Sequence, residues 1–243
     1  MHKQEKGMDG FVLIIGNKNY SSWSLRAWLA LKQLGVPFNE VRIPLDTHAW
    51  KREIGRHSPS RMAPVFKNGA LAVWDSLAIC EYVSEQLGEG RGWPKSAEAR
   101  AAARSVSAEM HSGFAALRES LPMDCRRRVA GFRAPEDAAK DIRRIRQIWR
   151  WCRETWGGKG AFLFGDFCIA DAMYAPVVSR FRTYGVRMGP VEKAYVDAIS
   201  ELDAMLSRLL CRRGASSKAG HQIRQPERRT LCRTRSARRR AQP

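Results

Sequence analysis

Three serines in a short polar segment are the residues of this sequence best placed for chemistry. Ser21, Ser22 and Ser24 follow the apolar run 11–15 and precede a helix-like pattern. Backbone N–H groups at a helix start are unpaired and carry partial positive charge, so they favour an anion. A serine hydroxyl at this position either caps the helix or donates a hydrogen bond to that anion. Position alone leaves both roles open.

The elements that must position these serines alternate between strand and helix signals over residues 11–87. Apolar runs with β-branched residues indicate strands, and spacings of three or four indicate helices. Asn68-Gly69 is the expected hairpin turn, and Asp75-Ser76 is the expected cap of the next helix. The predicted order is β-α-β-α-β-β-α, with strands at 11–15, 38–43, 63–66 and 71–74 and helices at 25–35, 49–56 and after 76.

A Gly-rich linker, 88–96, separates this part from a second part that is predicted to be all-helical, 97–210. Two apolar stripes carry that prediction, one from Ala103 to Leu121 and one from Ile142 to Trp156. Their steps of three or four residues are typical of helices that pack in a bundle.

The charge is uneven along the chain. There are 43 basic and 24 acidic residues, a net charge of +19. Residues 211–243 hold 11 basic residues and one acidic residue, so they carry +10 and leave +9 for residues 1–210. A segment this basic and this poor in apolar residues is expected to be disordered, like the polar residues 1–10. The positive charge of the tail would allow contact with nucleic acid, but without aromatic residues this contact is not expected to be specific.

Other classes of protein are disfavoured by composition. No apolar run approaches the roughly 20 residues of a membrane-spanning helix. The six cysteines have no paired spacing, which disfavours a zinc site and a disulfide framework and favours a reducing cytoplasm. No metal is expected.

Several motifs in order resemble the cytosolic glutathione transferases, in particular a bacterial serine-type, zeta-like branch. The resemblance covers about residues 10–210 and lies in NYSSWSLRAWLAL, SPSRMAPVF, WDSLAICEYV and GDFCIADAM. It implies a thioredoxin-like domain, 11–87, followed by the helical domain, 97–210. It also implies a homodimer that conjugates glutathione to small electrophiles in detoxification.

The resemblance assigns roles to residues of the first domain. Ser22, or else Ser21 or Ser24, would stabilise the glutathione thiolate. Ala63, before a cis-Pro64, would pair its backbone with the cysteinyl residue. Ser76 and its helix start would hold the γ-glutamyl carboxylate, and Asp75 the ammonium. Further contacts to the glycyl end would come from Arg61 and His48.

The second domain is expected to line the electrophile pocket and to stabilise the fold. The pocket candidates are Met110, His111, Phe114 and Arg180, and Cys168 with Asp171 resembles a capping box.

Two other functions stay open from the sequence. One is a glutathione-dependent cis–trans isomerase of the maleylacetoacetate or maleylpyruvate type, in which arginines would hold a diacid. The other is a non-enzymatic protein that reuses the fold and binds nucleic acid or another acidic surface through its basic tail.

Overall fold

Strands and helices alternate in the first half of the chain, and only helices follow in the second. The computed structural model describes residues 10–210; the predicted tail 211–243 and residues 1–9 lie outside the described residues. The elements are β1 (Phe11–Ile15), α1 (Ser22–Gln33), β2 (Asn39–Arg42), α2 (His48–His57), β3 (Val65–Asn68), β4 (Leu71–Trp74), α3 (Ser76–Gln86), α4 (Ala97–Ser112), α5 (Ala115–Ser120), α6 (Glu136–Trp156), α7 (Ile169–Tyr184), α8 (Pro190–Glu201) and α9 (Asp203–Leu210).

Within residues 10–210, the four strands form one sheet in the order β2-β1-β3-β4. β1 pairs with β2 in parallel and with β3 antiparallel, and β3 and β4 form an antiparallel hairpin. Successive side chains of a strand point to opposite faces, so β1 serves two cores. Leu13 and Ile15 join the large core with α1 and α3, whereas Ile14 joins a small core under α2. This is a thioredoxin-like sheet, as predicted.

Helix α1 is buried on most of its surface because it packs on both α3 and α7. Helix α7 is the centre of the helical part, and all of its residues except Arg182 are buried. One continuous apolar core joins the sheet, α1 and the helices. Residues 10–210 accordingly fall into a single compact unit. The helix that carries the candidate serines, α1, is therefore fixed against the helical part.

Apart from shifts of one or two residues at the ends of strands and helices, the sequence prediction differs from the structure in three places. Helix α1 begins at Ser22, three residues earlier than predicted, because Ser21 caps it. The hairpin turn is Gly69-Ala70, since Asn68 pairs with Leu71 in the ladder.

The third difference concerns the helical part. The stripe 103–121 is divided at Gly113 and Phe114, where Phe114 has a φ of 61° and starts α5. Residues 121–135 and 157–168 are not helical. These two segments hold prolines at 122 and 135 and glycines at 157, 158, 160 and 165, which disfavour helix.

Among the described residues, none of the helices combines the length and apolarity needed to cross a membrane.

Candidate functional site

The three candidate serines at the start of α1 have different hydrogen bonds. The Ser21 hydroxyl accepts from the Ser24 amide at 3.3 Å and donates to the Ser24 hydroxyl at 2.7 Å. The Ser24 hydroxyl also accepts from the Gly16 amide at 3.1 Å. Ser21 is therefore the helix cap, and Ser24 ties α1 to the end of β1. Both hydroxyls are engaged in holding the turn.

Ser22 is the first residue of α1, and its hydroxyl has no hydrogen-bond partner among the described residues. The residue is 7% exposed. The first amides of a helix lack intrahelical acceptors, so the amides of Ser22 and Trp23 add partial positive charge beside this hydroxyl. The arrangement can stabilise an anion with one hydroxyl donor and a helix field.

Asp75 and Ser76 form the start of α3. The Asp75 carboxylate accepts from the Leu77 amide at 2.8 Å and from the Ala78 amide at 3.3 Å, so it caps the helix. The Ser76 hydroxyl is buried and has no partner within the described residues. Asp75 has a φ of 73°, a left-handed conformation that is uncommon for a residue with a side chain. Strained backbone of this kind is concentrated at functional sites.

His111, near the end of α4, connects the helical part to this helix start. Its Nε2 lies 3.2 Å from the second carboxylate oxygen of Asp75. Its Nδ1 is buried without a partner in the described chain. The His111 ring also meets the Trp23 ring edge to face, with centroids 5.2 Å apart. Burial lowers the pKa of His111, while Asp75 acts in the opposite direction. The chain of contacts from α3 through His111 thus ends on the first turn of α1.

Arg26 lies one helical turn after Ser22 and is the site residue that the sequence did not suggest. It is fully buried, and none of its three guanidinium nitrogens has a hydrogen-bond partner among the described residues. Its Cζ lies 4.3 Å from the centre of the Trp23 ring. Burial lowers the pKa of Arg26 to about 9, and the charges of Arg118 and Arg180 add to this effect. The side chain is still a cation at neutral pH.

Arg118 and Arg180 face Arg26, but backbone carbonyls bind both of them. Arg118 donates to the carbonyl of Met110 and, at 3.1 Å, to that of Gly113 at the end of α4, where a cation is favoured. Arg180 donates to the carbonyls of Leu121 and Arg118. The bonds to these carbonyls explain the positions of Arg118 and Arg180, but no such bond within the described residues explains the position of Arg26.

Ala63 and Pro64 lie beside the edge of the site, ahead of β3. The peptide bond between them is cis, as the resemblance implies. Neither the N–H nor the C=O of Ala63 has a hydrogen-bond partner among the described residues. A peptide backbone could pair with both of them in the manner of an added strand.

The remaining predicted residues are scattered. Arg61 and His48 are exposed, and the hydrogen bonds and ion pairs among the described residues include neither side chain. Met110, Phe114 and Arg180 are buried in the helical part, so His111 is the one pocket candidate that is partly exposed. A groove of about 610 Å³ lies elsewhere, lined by residues that include Phe132, Tyr184 and Arg187. Within residues 10–210, no cluster of His, Cys, Asp or Glu has the arrangement to hold a metal ion.

Comparison with known proteins finds a family model that matches part of the first domain. Residues 20–86 match the family model described as the N-terminal domain of glutathione S-transferase. A curated relative, the dichloromethane dehalogenase of Methylorubrum extorquens, is 30% identical over 63 residues, which are 25% of this chain. The match spans 22% of that relative's length.

Solved structures extend the similarity to the whole described fold. A glutathione transferase homolog from Burkholderia GL BGR1, with bound glutathione, is 22% identical with a TM-score of 0.62; the match covers 82% of this chain and 96% of the homolog. Maleyl pyruvate isomerase, a bacterial glutathione S-transferase in the zeta class, is 22% identical with a TM-score of 0.63 and is covered in full, against 85% of this chain. At this identity the likeness concerns the fold.

Proposed function

We propose that the chain is a glutathione S-transferase that binds reduced glutathione and reacts its thiolate with a small electrophile. The match of residues 20–86 to the N-terminal domain model and the fold shared with solved transferases support this proposal. Ser22 carries this proposal. Its hydroxyl is the one in the serine cluster that has no partner in the described chain, whereas those of Ser21 and Ser24 hold the turn. It can therefore donate to a sulfur anion without breaking an existing bond.

The chemistry that this position offers is activation of a thiol. A cysteine thiol has a pKa of about 8.5, so it is mostly protonated at neutral pH, whereas the thiolate is the nucleophile. The hydroxyl of Ser22 and the field of α1 favour the thiolate, so the proton of the thiol passes to water. The sulfur then attacks the electrophilic carbon, a carbon–sulfur bond forms, and the leaving group departs with its electron pair.

The rest of glutathione has matching groups along the edge of the site. The unpaired N–H and C=O of Ala63 would bind the cysteinyl backbone. The unpaired Ser76 hydroxyl and the first amides of α3 would bind the γ-glutamyl carboxylate, and Asp75 its ammonium. We keep Arg61 and His48 as candidates for the glycyl carboxylate.

A cis–trans isomerase is the second candidate function. Arg26, Arg118 and Arg180 form a cluster of like charges, and no ion pair of the described residues includes any of them. Such a cluster favours a substrate that carries carboxylates. A structural neighbour is a maleyl pyruvate isomerase. Turnover of a cis-unsaturated diacid with catalytic amounts of glutathione distinguishes this activity from conjugation, which consumes glutathione.

A homodimer also belongs to the proposal. The edge strand β4 carries two large apolar residues, Leu71 and Trp74, that are 47% and 44% exposed, and Met62 before β3 is 63% exposed. Exposed large apolar residues on an edge strand are typical of a contact surface. Sedimentation equilibrium of the full chain measures the association.

Replacement of single serines tests the assignment of Ser22. Ser22→Ala should lower turnover roughly ten- to a hundredfold, because a hydrogen bond to an anion is worth about 1.5–3 kcal/mol. It should leave glutathione affinity within a few-fold of the parent, as measured by calorimetry. Ser21→Ala is the matched control: it removes the helix cap and should lower the free energy of unfolding by about 1 kcal/mol with a smaller effect on turnover.

Two results contradict the proposal. Failure of the folded parent to bind glutathione excludes the function altogether. Binding with full turnover in Ser22→Ala removes this hydroxyl from the mechanism.

A further inference from the structure

Arg26 has a feature that helix packing does not explain. A buried guanidinium normally has hydrogen bonds or a carboxylate partner, because removal of an ion from water is unfavourable unless such partners replace the water. Arg26 has neither among the described residues. Arg208 provides a contrast: it is also buried against a tryptophan of α1, 5.2 Å from the Trp28 ring, but it donates to the Lys18 carbonyl at 2.8 Å.

The direction of the side chain places this charge at the start of α1. Helical side chains lean toward the N-terminus, and residues four apart share a face. The guanidinium of Arg26 accordingly lies 4.3 Å from the centre of the Trp23 ring, in the turn that begins with Ser22. The Trp23 ring also contacts Arg118, whose Cζ lies 4.7 Å from the ring centre, and His111, which in turn contacts Asp75 at the start of α3. The cation thus lies on the first turn of α1 and is connected to the start of α3 through Trp23 and His111.

The groups around Arg26 leave the positive charge in excess. Arg118 of α5 and Arg180 of α7 are cations, and Asp75 and the buried thiol of Cys80 on α3 are the acidic groups that act on it. The Asp75 carboxylate is engaged with the α3 amides and with His111. Burial and neighbouring acids raise the pKa of Cys80 to about 12, so this thiol is neutral at physiological pH. An anion bound at the start of α1 would be attracted by the remaining charge.

We propose that Arg26 is the buried cation that favours the thiolate form of bound glutathione, acting through its electric field without touching the sulfur. This role rests on the proposed function. Only the sulfur–hydrogen bond breaks: the proton goes to water and the electron pair stays on sulfur. Arginine suits the position better than lysine, because its higher intrinsic pKa keeps it charged after burial.

Arg26→Met separates this role from a structural one because the two make opposite predictions. Without glutathione, removal of an unpaired buried charge should leave the melting temperature unchanged or raise it. With glutathione bound, the pKa of the thiol should rise by about one, which gives a tenfold smaller thiolate fraction at neutral pH. The ultraviolet absorbance of the thiolate, titrated in the complex, measures this pKa. Turnover should fall at neutral pH and recover at alkaline pH.

Arg208→Met is the matched control. It removes a buried guanidinium that packs on a tryptophan of the same helix and binds a carbonyl. We expect a lower melting temperature and an unchanged thiol pKa. Arg26→Gln is a second neutral variant with a polar end, and it should reproduce the thiol pKa of Arg26→Met.

The outcomes distinguish failure of the proposed function from failure of the role of Arg26. If the parent does not bind glutathione, the proposed function fails, and this role fails with it. If the parent binds and both neutral variants keep the parental thiol pKa, only the role of Arg26 is overturned. If neither neutral variant folds, Arg26 is a structural residue and the role is likewise overturned.

Discussion

Polar groups are buried at the start of α7 and also near the starts of α1 and α3. The carboxylate at α7 is hydrogen-bonded, whereas, among the described residues, two polar side chains near α1 and α3 are not. At α7, the buried carboxylate of Asp171 accepts from the Cys168 amide at 2.8 Å and from the Leu163 amide at 3.1 Å. Near α1 and α3, Arg26 and the Ser76 hydroxyl are buried without partners in the described chain. Native proteins satisfy nearly all buried polar groups, so an exception that carries a charge, as Arg26 does, favours a ligand or a catalytic role.

The contrast implies that buried polar residues contribute to stability at the start of α7 and to activity near the starts of α1 and α3. Asp171 is expected to matter for folding and not for glutathione. Arg26 and Ser76 are expected to matter for glutathione and not for folding. Substitutions in each region test this division of roles.

The largest effect is expected at Asp171. Asp171→Ala leaves two buried amides unpaired, at about 1–3 kcal/mol each, which is a large share of the 5–15 kcal/mol that holds a typical domain. Asp171→Asn keeps one carbonyl acceptor and should lose less. Urea denaturation of both variants measures the loss. A melting temperature of Asp171→Ala within a few degrees of the parent would contradict the structural role.

The same carboxylate gives a dependence on pH. Burial raises the pKa of Asp171 from 3.8 to about 6, against the hydrogen bonds from the Cys168 and Leu163 amides. The folded state then binds more protons than the unfolded state between about pH 4 and 6, so the contribution of this group to stability decreases as pH rises through that window. Asp171→Asn should lack this component. Denaturation curves at several pH values compare the two proteins.

An intermediate effect is expected at Ser76. Because its hydroxyl has no partner in the described residues, Ser76→Ala should leave the free energy of unfolding nearly unchanged. Glutathione affinity should fall roughly ten- to a hundredfold, since a hydrogen bond to a carboxylate is lost. Ser107→Ala in α4 is the matched control, because Ser107 is also buried without a partner in that part of the chain but lies on a different helix. Equal affinities in calorimetry for both variants would remove Ser76 from the binding site.

Local patterns in the sequence predicted much of the fold. The order β-α-β-α-β-β-α and the helical second part followed from periodicity and caps, and the motif resemblance implied the cis bond before Pro64. The break at Gly113 was missed because the apolar stripe continues through it into α5. Periodicity reports which residues are apolar, and it does not report where the backbone turns.

The features of the site that the sequence did not reveal depend on tertiary packing. Arg26 follows Leu25 in an amphipathic pattern and is typical of an exposed helix position. It is buried because α1 lies between α3 and α7, which cover most of the helix surface. The contact between His111 and Asp75 joins segments 36 residues apart in number (111 − 75), with no local signal for it. Asp171 was accessible to prediction because its partners lie within eight residues.

The smallest effect, and the most direct report on the charges around the site, is expected in the pKa of His111. Burial lowers this pKa below its ordinary value near 6.5; Asp75 raises it, and Arg26 and Arg118 lower it. Titration of the imidazole resonances by NMR should therefore give a higher pKa in Arg26→Met and a lower one in Asp75→Asn. His57 is an internal control, because its pKa is lowered by burial and by Lys67 and should be the same in all three proteins. An identical pKa for His111 in all three would mean that the charge of Arg26 does not reach the start of α3, and the division between the two regions would then lack its electrostatic basis.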